Sequence, residues 1–79
     1  MPPVIIYSTP TCQYCKLAKT YFKEQGVDYT EFDVVVHPDK AQEMIEKSGQ
    51  MGVPVIDIGG KIVVGFNQKK IAELLELSN

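Results

Sequence analysis

The spacing of apolar and polar positions in the first half of the chain predicts a strand, a helix and a second strand. Val4–Tyr7 is a short β-branched and aromatic run without alternation, which is typical of a strand buried on both faces. From Cys12 to Gln25 apolar residues recur at helical spacing, and Gly26 supplies a C-terminal stop. The apolar content of Val27–Val36 predicts the second strand. The side chains expected to face inward from the helix are Cys15, Leu17 or Ala18, Tyr21 and Phe22.

The second half of the chain predicts two further helices and a β-hairpin. The first element is a helix opened by His37-Pro38 and closed by Ser48-Gly49. A strand over Val53–Ile58, a turn at Gly59-Gly60 and a strand over Lys61–Val64 follow. The last element is a helix capped by Asn67, whose inward-facing residues are Ile71, Leu74, Leu75 and Leu77. Two consecutive glycines suit a two-residue hairpin turn, because both can adopt a positive φ.

The element order βαβαββα predicts an α/β fold in a single domain over residues 1–79. Right-handed crossover connections make the first two strands parallel neighbours, and the hairpin completes a mixed four-stranded sheet flanked by three helices. Cys12 should then lie at the carboxyl edge of the first strand and the amino end of the first helix, where open α/β sheets carry their chemistry.

Composition and charge narrow the function classes. The 44% apolar share is ordinary for a globular protein, and the net charge of −2, with eight lysines and no arginine, does not predict nucleic acid binding. The start Met1-Pro2-Pro3 lacks a basic leader, and Val4–Tyr7 is too short for a signal-peptide core or a membrane span. We therefore expect a cytoplasmic protein without membrane contact.

Both cysteines lie in Cys12-Gln13-Tyr14-Cys15. A bridge between them closes too short a loop to stabilise the fold much, so we expect a chemical role. At a helix amino terminus the pKa of a thiol falls from about 8.5 into the range of roughly 3.5–7.5, and Lys16, one turn on, adds positive charge. We predict that Cys12 is the nucleophile in thiol–disulfide exchange and that Cys15 is the resolving thiol.

Two other interpretations of the cysteines carry less weight. A zinc site needs about four ligands, whereas the chain offers two cysteines and one histidine, so no metal site is predicted. His37 stands at a helix start and is expected to face solvent. Two inert buried cysteines are a further alternative, which the position at a helix amino terminus disfavours.

Two other segments are candidates for substrate binding. Pro54 is either an ordinary edge or turn proline, or a cis residue that turns the backbone of Val53 toward the Cys12 sulfur. Val53 could then pair with an extended peptide through its own N–H and C=O. Gly65-Phe66-Asn67 is either a turn with a helix cap or a receptor for a carboxylate, and the sequence favours the two about evenly.

These residues together resemble the glutaredoxin family. Cys12-Gln13-Tyr14-Cys15 resembles the family motif Cys-Pro-Tyr-Cys, Val53-Pro54 resembles Thr-Val-Pro, and Val64-Gly65-Phe66-Asn67 resembles the Gly-Gly-x-Asp region. The resemblance spans essentially the whole chain. It implies a thioredoxin fold, a cis Pro54, and disulfide reduction through Cys12. It also implies glutathione contacts at the positions of Tyr14, Val53, Phe66 and Asn67.

Besides Gln13, which replaces the proline of the Cys-Pro-Tyr-Cys motif, four positions depart from the family pattern. Thr9 replaces a lysine that contacts a glutathione carboxylate, Gly52 replaces the threonine before Val-Pro, and Val64 and Asn67 replace the second glycine and the aspartate. The Gly65-Phe66 pair is also similar to the glutaredoxin-like redoxins that serve ribonucleotide reductase and take electrons from thioredoxin reductase. Those proteins usually carry Trp-Ser where this chain has Val63-Val64.

The leading hypothesis is a monomeric dithiol–disulfide oxidoreductase that reduces protein or low-molecular-weight disulfides without a bound cofactor. Its electron donor would be glutathione or thioredoxin reductase. A second hypothesis is an iron–sulfur carrier, in which Cys12 thiolates from two chains and two glutathiones hold a cluster. A third is a redox-regulated binding module whose Val53 edge captures peptides.

Overall fold

Residues 2–77 of the protein are described by a computed structural model. They form seven elements in the predicted order: β1 (Val4–Ser8), α1 (Gln13–Glu24), β2 (Thr30–Asp33), α2 (Pro38–Ser48), β3 (Val55–Ile58), β4 (Lys61–Val64) and α3 (Gln68–Leu74). The α/β class and the order βαβαββα are confirmed.

The four strands form one mixed sheet in the order β2-β1-β3-β4. Strand β1 runs parallel to β2 and antiparallel to β3, and β3 runs antiparallel to β4. Tyr7 on β1 lies opposite Phe32 on one side and Val55 on the other. The hairpin turns through Gly59 and Gly60, whose φ angles are +59° and +93°. Both parallel and antiparallel pairings therefore agree with the prediction.

Each face of the sheet carries its own apolar cluster. Ile6 and Tyr7 are consecutive residues of β1, so their side chains point to opposite faces. Ile6 packs in a cluster with Ala18 of α1 and Ile71 of α3. Tyr7 packs with Met44 of α2 on the other face. Helices α1 and α3 thus cover one side and α2 covers the other, so that β1 lies between two helical layers.

The predicted second strand is too long at both ends. Val34, Val35 and Val36 form a turn, in which Asp33 Oδ1 accepts hydrogen bonds from the backbone N–H of Val35 at 2.9 Å and of Val36 at 3.4 Å. The Asp33 carbonyl oxygen also accepts from the N–H of His37 at 3.0 Å. An aspartate that binds the backbone following it favours a turn over a strand, whatever the β-propensity of the valines. Val35 and Val36 are consequently exposed.

The other element ends differ from the prediction by one or two residues. Helix α1 begins at Gln13 with Cys12 as its N-cap, and Ala18 rather than Leu17 faces the core. Strand β3 begins at Val55, because Val53 and Pro54 precede its ladder. Helix α3 ends at Leu74, so Leu77 lies beyond it although its side chain still packs on the core.

The caps of α2 and α3 agree with the sequence. Pro38 occupies the first turn of α2, and Gly49 ends it with a φ of +74°. Asn67 caps α3 through a hydrogen bond that its Oδ1 accepts from the N–H of Lys70 at 3.1 Å. Within residues 2–77, no helix has both the length and the apolar character to cross a membrane.

Candidate redox site

The loop between β1 and α1 places Cys12 at the amino end of the helix. The N–H of Cys12 donates to the carbonyl oxygen of Thr9 at 3.3 Å, and the Cys12 carbonyl oxygen accepts from the N–H of Lys16 at 3.3 Å. Cys12 is the N-cap, with an extended backbone at φ −84° and ψ 112°. The residue thus ends the turn and begins the helix, and its side chain projects toward the free N–H groups of the first turn.

Cys12 and Cys15 form a disulfide with 5.2 Å between their Cα atoms. The two residues differ in exposure, since Cys15 is fully buried and Cys12 is partly exposed. The N–H of Cys15 donates to the Cys12 Sγ at 3.1 Å. This donor, the positive end of α1 and a first turn without acidic residues all favour negative charge on the Cys12 sulfur.

Lys16 lies on the exposed side of α1, apart from the groove described next. It borders a separate shallow depression with Gln13, Tyr14, Leu17 and Thr20. The predicted effect of its charge on Cys12 stays a prediction. Lys19, the next lysine on α1, forms an ion pair with Glu31, in which its Nζ lies 2.8 Å from a carboxylate oxygen.

A groove of about 350 Å³ contains the residues expected to bind substrate. It is lined by Tyr14, Val53, Pro54, Val64, Gly65, Phe66 and Asn67. All five substrate-binding candidates are therefore brought to one surface, although they come from three separate parts of the chain. The lining also includes Gly65, which belongs to the candidate segment Gly65-Phe66-Asn67, and Val64, which was not among the predicted binding residues. Their position beside Phe66 in one motif was the available signal. None of these lining residues carries a charge.

The Val53–Pro54 peptide bond is cis, as the family resemblance implied. Pro54 is fully buried, and its carbonyl oxygen accepts from the N–H of Gly65 at 2.8 Å. This bond fastens the start of β3 to the end of β4, where Gly65 turns the chain with a φ of +82°. The Val53 side chain packs against the apolar cluster under α2. The groove floor is therefore tied to both halves of the hairpin and to the core.

The segment Gly65-Phe66-Asn67 forms a turn and a helix cap. Phe66 packs on Tyr21 of α1, with 5.9 Å between the ring centroids, and the Asn67 side chain caps α3. The turn-and-cap interpretation is thus confirmed, whereas carboxylate binding at this position stays a prediction.

Glu31 links β2 to the end of β1 and to α1. Its Oε2 accepts from Ser8 Oγ at 2.6 Å and from Lys19 Nζ at 2.8 Å. These hydrogen bonds, that from Lys19 first, hold the pKa of the Glu31 carboxyl below its ordinary value. This contact, which no local sequence pattern indicates, links the strand end just before the Cys12 loop to β2 and α1.

A second polar cluster lies under α2, where Tyr7 OH donates to Glu43 Oε2. Lys47 Nζ donates to Tyr7 OH at 2.8 Å and to Asp57 Oδ2 at 2.8 Å. Burial, followed by the bond to Glu43, raises the pKa of Tyr7. Burial alone would lower the pKa of Lys47, but its hydrogen bonds to Asp57 and Tyr7 raise it above its ordinary value. The cluster joins α2 to β1 and β3.

No group of three His, Cys, Asp or Glu side chains within residues 2–77 is arranged to hold a metal ion. His37 is exposed at the start of α2, as expected.

This sheet, these helices and the position of the cysteine pair define a thioredoxin-like protein. The family model for glutaredoxins matches residues 4–63, and the chain belongs to the glutaredoxin family. The family implies thiol–disulfide oxidoreductase chemistry, in agreement with the cysteine pair at disulfide distance.

Three known proteins are similar to this chain over most of its length. An uncharacterised glutaredoxin-like 8.6 kDa protein in the rubredoxin operon of Clostridium pasteurianum is 46% identical over 71 residues, covering 90% of this chain and 95% of that protein. A mutant of the thioredoxin-like protein BC3987 has a TM-score of 0.91 at 28% identity, covering 99% of this chain and 100% of the other. The glutaredoxin-like NrdH-redoxin of Escherichia coli, described as having a thioredoxin-like activity profile, has a TM-score of 0.82 at 25% identity, covering 91% and 93%.

Proposed function

We propose that the protein reduces disulfides of proteins or of low-molecular-weight thiols, with Cys12 as the attacking thiolate and Cys15 as the resolving thiol. The observation that carries this proposal is the unequal placement of the two sulfurs. Cys12 is partly exposed and accepts the Cys15 N–H at 3.1 Å, whereas Cys15 is fully buried. An entering disulfide can reach the Cys12 sulfur and has no route to Cys15.

The reaction begins with the reduced protein. The Cys12 thiolate attacks one sulfur of the substrate, a Cys12–substrate disulfide forms, and the other substrate sulfur leaves as a thiolate that takes up a proton. The helix amino terminus favours the Cys12 thiolate over the thiol, because the charged form interacts more strongly with its N–H donors and dipole.

The second step releases the substrate. Cys15 loses its proton and attacks the Cys12 sulfur, which forms the Cys12–Cys15 disulfide seen here and expels the second substrate thiolate. The cysteine pair loses two electrons and the Cys15 proton. The substrate gains both electrons, and its two thiolates take up two protons, the second from the solvent that received it when the Cys12 thiolate formed. Because Cys15 lies one helical turn from Cys12 in the same chain, this attack is intramolecular and needs no encounter with a second molecule.

We assign peptide recognition to the groove beside the cysteine pair. Within residues 2–77, neither the N–H nor the C=O of Val53 takes part in a hydrogen bond, so both can pair with an extended substrate segment. Tyr14 and Phe66 supply aromatic walls, and Pro54 and Asn67 complete the lining. Tyr14 is 63% exposed, which leaves its ring free to cover a bound segment.

The electron donor that regenerates the dithiol is glutathione or thioredoxin reductase. The uncharged lining of the groove favours the second donor, because glutathione carries two carboxylates that need cationic or hydrogen-bonding partners. The likeness to NrdH-redoxin, with its thioredoxin-like activity profile, supports the same choice. In this form the protein would be a redoxin serving an enzyme such as ribonucleotide reductase.

We also propose that the protein acts as a cytoplasmic monomer. A short-loop disulfide that cycles belongs in a reducing compartment, where structural disulfides are rare. Sedimentation of the reduced protein as a dimer would contradict the monomer.

Turnover measurements test the activity and the donor together. Reduction of a protein disulfide is followed with wild type and with Cys12→Ser, once with glutathione and glutathione reductase and once with thioredoxin reductase. We expect turnover by wild type, none by Cys12→Ser, and a higher rate with thioredoxin reductase. Equal rates for wild type and Cys12→Ser would overturn the proposed function, whereas a higher rate with glutathione would overturn only the choice of donor.

A further inference from the structure

The side chain of Gln50 holds the backbone of the residue that precedes Val53. Gln50 Oε1 accepts from the N–H of Gly52 at 2.6 Å, and Gln50 Nε2 donates to the Gly52 carbonyl oxygen at 3.0 Å. One amide group thus satisfies both backbone groups of Gly52, as a neighbouring strand would. This pair of bonds lies in the loop between α2 and β3, directly before the groove.

Gln50 is itself anchored to the end of α2 through Ser48. Ser48 Oγ lies 2.7 Å from the carbonyl oxygen of Met44 and 3.0 Å from that of Gln50. The N–H of Gln50 also donates to Ser48 Oγ at 3.4 Å. Met44 is a buried residue of the apolar cluster under α2. The chain of contacts therefore runs from the core through Ser48 and Gln50 to Gly52.

Gly52 is explained by the approach of Gln50 and by nothing else in the structure. Its φ is not positive, so the backbone conformation does not require glycine. A Cβ at this position would lie 2.8 Å from Gln50 Oε1 and 3.8 Å from Gln50 Cδ, and, apart from the chain neighbours of Gly52, no other residue among 2–77 has an atom within 4 Å. A side chain at 52 would therefore displace the Gln50 amide. Glutamine at 50 and glycine at 52 act as a pair.

We propose that Gln50 is a positioning residue that fixes the peptide-pairing edge of Val53. The inference rests on the proposed function, in which that edge binds an extended substrate. Gly52 is fastened by Gln50 on one side of Val53, and Pro54 is fastened by the N–H of Gly65 on the other. A flexible glycine next to the binding edge would otherwise cost ordering entropy on each binding event. Because Gln50 occupies both Gly52 groups, an incoming strand meets Val53 as the next free backbone.

Two matched substrates separate positioning from chemistry. One is an extended apolar peptide whose cysteine is joined to an aromatic thiol that becomes coloured on release. The other joins the same aromatic thiol to 2-mercaptoethanol, which has no peptide backbone. Pre-reduced protein is mixed with excess substrate, and the limiting rate and the half-saturating concentration are obtained from single turnovers. The Cys12 thiolate attacks the aliphatic sulfur in both, so the leaving group is identical.

We expect Gln50→Ala to raise the half-saturating peptide concentration about fivefold, which is the size of one net hydrogen bond. The limiting rate and the reaction with the mercaptoethanol disulfide should change less than about twofold, because Gln50 does not touch the sulfur atoms. Gln50→Glu keeps the acceptor for Gly52 N–H and loses the donor, so its effect should be intermediate. Gln42→Ala, an exposed glutamine on α2, is the control and should match wild type.

A double-mutant cycle tests whether Gln50 and Gly52 act as one unit. Gly52→Ala alone should raise the half-saturating peptide concentration about as much as Gln50→Ala, whereas Gly52→Ala added to Gln50→Ala should have no further effect. Additive effects, or equal losses on both substrates, would overturn the positioning role. If wild type reduces neither disulfide, the proposed function itself fails and the positioning role falls with it.

Discussion

The backbone N–H of Cys15 points at the sulfur of Cys12, with 3.1 Å between nitrogen and Sγ. In the proposed mechanism, Cys15 would therefore stabilise the Cys12 thiolate through its main chain and react with Cys12 through its side chain. These two roles can be separated, because a substitution at 15 removes the thiol and keeps the amide.

Cys15→Ser should consequently leave Cys12 reactive. We expect the rate of Cys12 alkylation at neutral pH to stay within about threefold of that of the reduced wild type, since the helix amino terminus and the Cys15 amide remain. The measurement is alkylation by iodoacetamide followed by mass spectrometry. A fall to the rate of a cysteine in an unstructured peptide would show that the Cys15 thiol, and not the backbone, activates Cys12.

The polar cluster of Tyr7, Glu43, Lys47 and Asp57 under α2 predicts an effect on the free energy of unfolding. Asp57 is buried and accepts from Lys47 Nζ at 2.8 Å and from the N–H of Gly60 at 2.8 Å. Asp57→Asn removes the charge opposite Lys47, and we expect a loss of about 1–2 kcal/mol in the free energy of unfolding. Urea denaturation at neutral pH measures it. Asp28→Asn, at an exposed loop position, is the control and should cost less than about 0.5 kcal/mol.

The lowered pKa of Glu31 predicts how the free energy of unfolding depends on pH in the acid range. Its pKa is lower in the folded protein than its ordinary value of 4.5, so its contribution to stability is complete above that pH. The contribution is lost as pH falls below 4.5 and through the folded pKa. Glu31→Gln should therefore flatten the acid limb of the unfolding free energy plotted against pH. Glu73→Gln, on the exposed side of α3, is the matched control. Parallel acid limbs for wild type and Glu31→Gln would contradict the account.

Replacing Thr9 by lysine should increase the use of glutathione as electron donor. The residue stands where the family usually has a lysine that contacts a glutathione carboxylate, and the groove has no charge of its own. Thr9→Lys should raise kcat/KM for glutathione about two- to fivefold, the range of one exposed ion pair. The assay couples disulfide reduction to glutathione reductase. Thr30→Lys adds the same charge at an exposed position on β2 and should have no effect. No gain from Thr9→Lys would indicate that charge does not limit glutathione binding.

The sequence predicted the elements whose signals are local. Pro38, Gly49 and the Gly59-Gly60 turn each act through their own backbone, and the structure confirms the helix start, the helix end and the hairpin turn that they predict. The length of β2 was wrong because one Asp33 side chain outweighs three β-branched valines. Hydrophobic spacing does not report such a bond.

The candidate site was predictable as a set of motifs, and its geometry was not. The contacts of Glu31 with Ser8 and of Lys47 with Tyr7 join residues 23 and 40 positions apart, which no local pattern links. The hold of Gln50 on Gly52 is local, yet it depends on a rotamer of a side chain that is unremarkable in sequence. Packing and side-chain direction decide these contacts.

The most direct test of the account is the capture of the reaction intermediate. Reduced Cys15→Ser and Cys12→Ser are each mixed with the peptide–aromatic disulfide, and intact-mass spectrometry follows the protein. The account predicts that Cys15→Ser accumulates a stable peptide adduct on Cys12, because no thiol resolves it. Cys12→Ser should form no adduct, since Cys15 is fully buried. An adduct on Cys15 that forms as fast as the adduct on Cys12 would contradict the assignment of attacking and resolving roles.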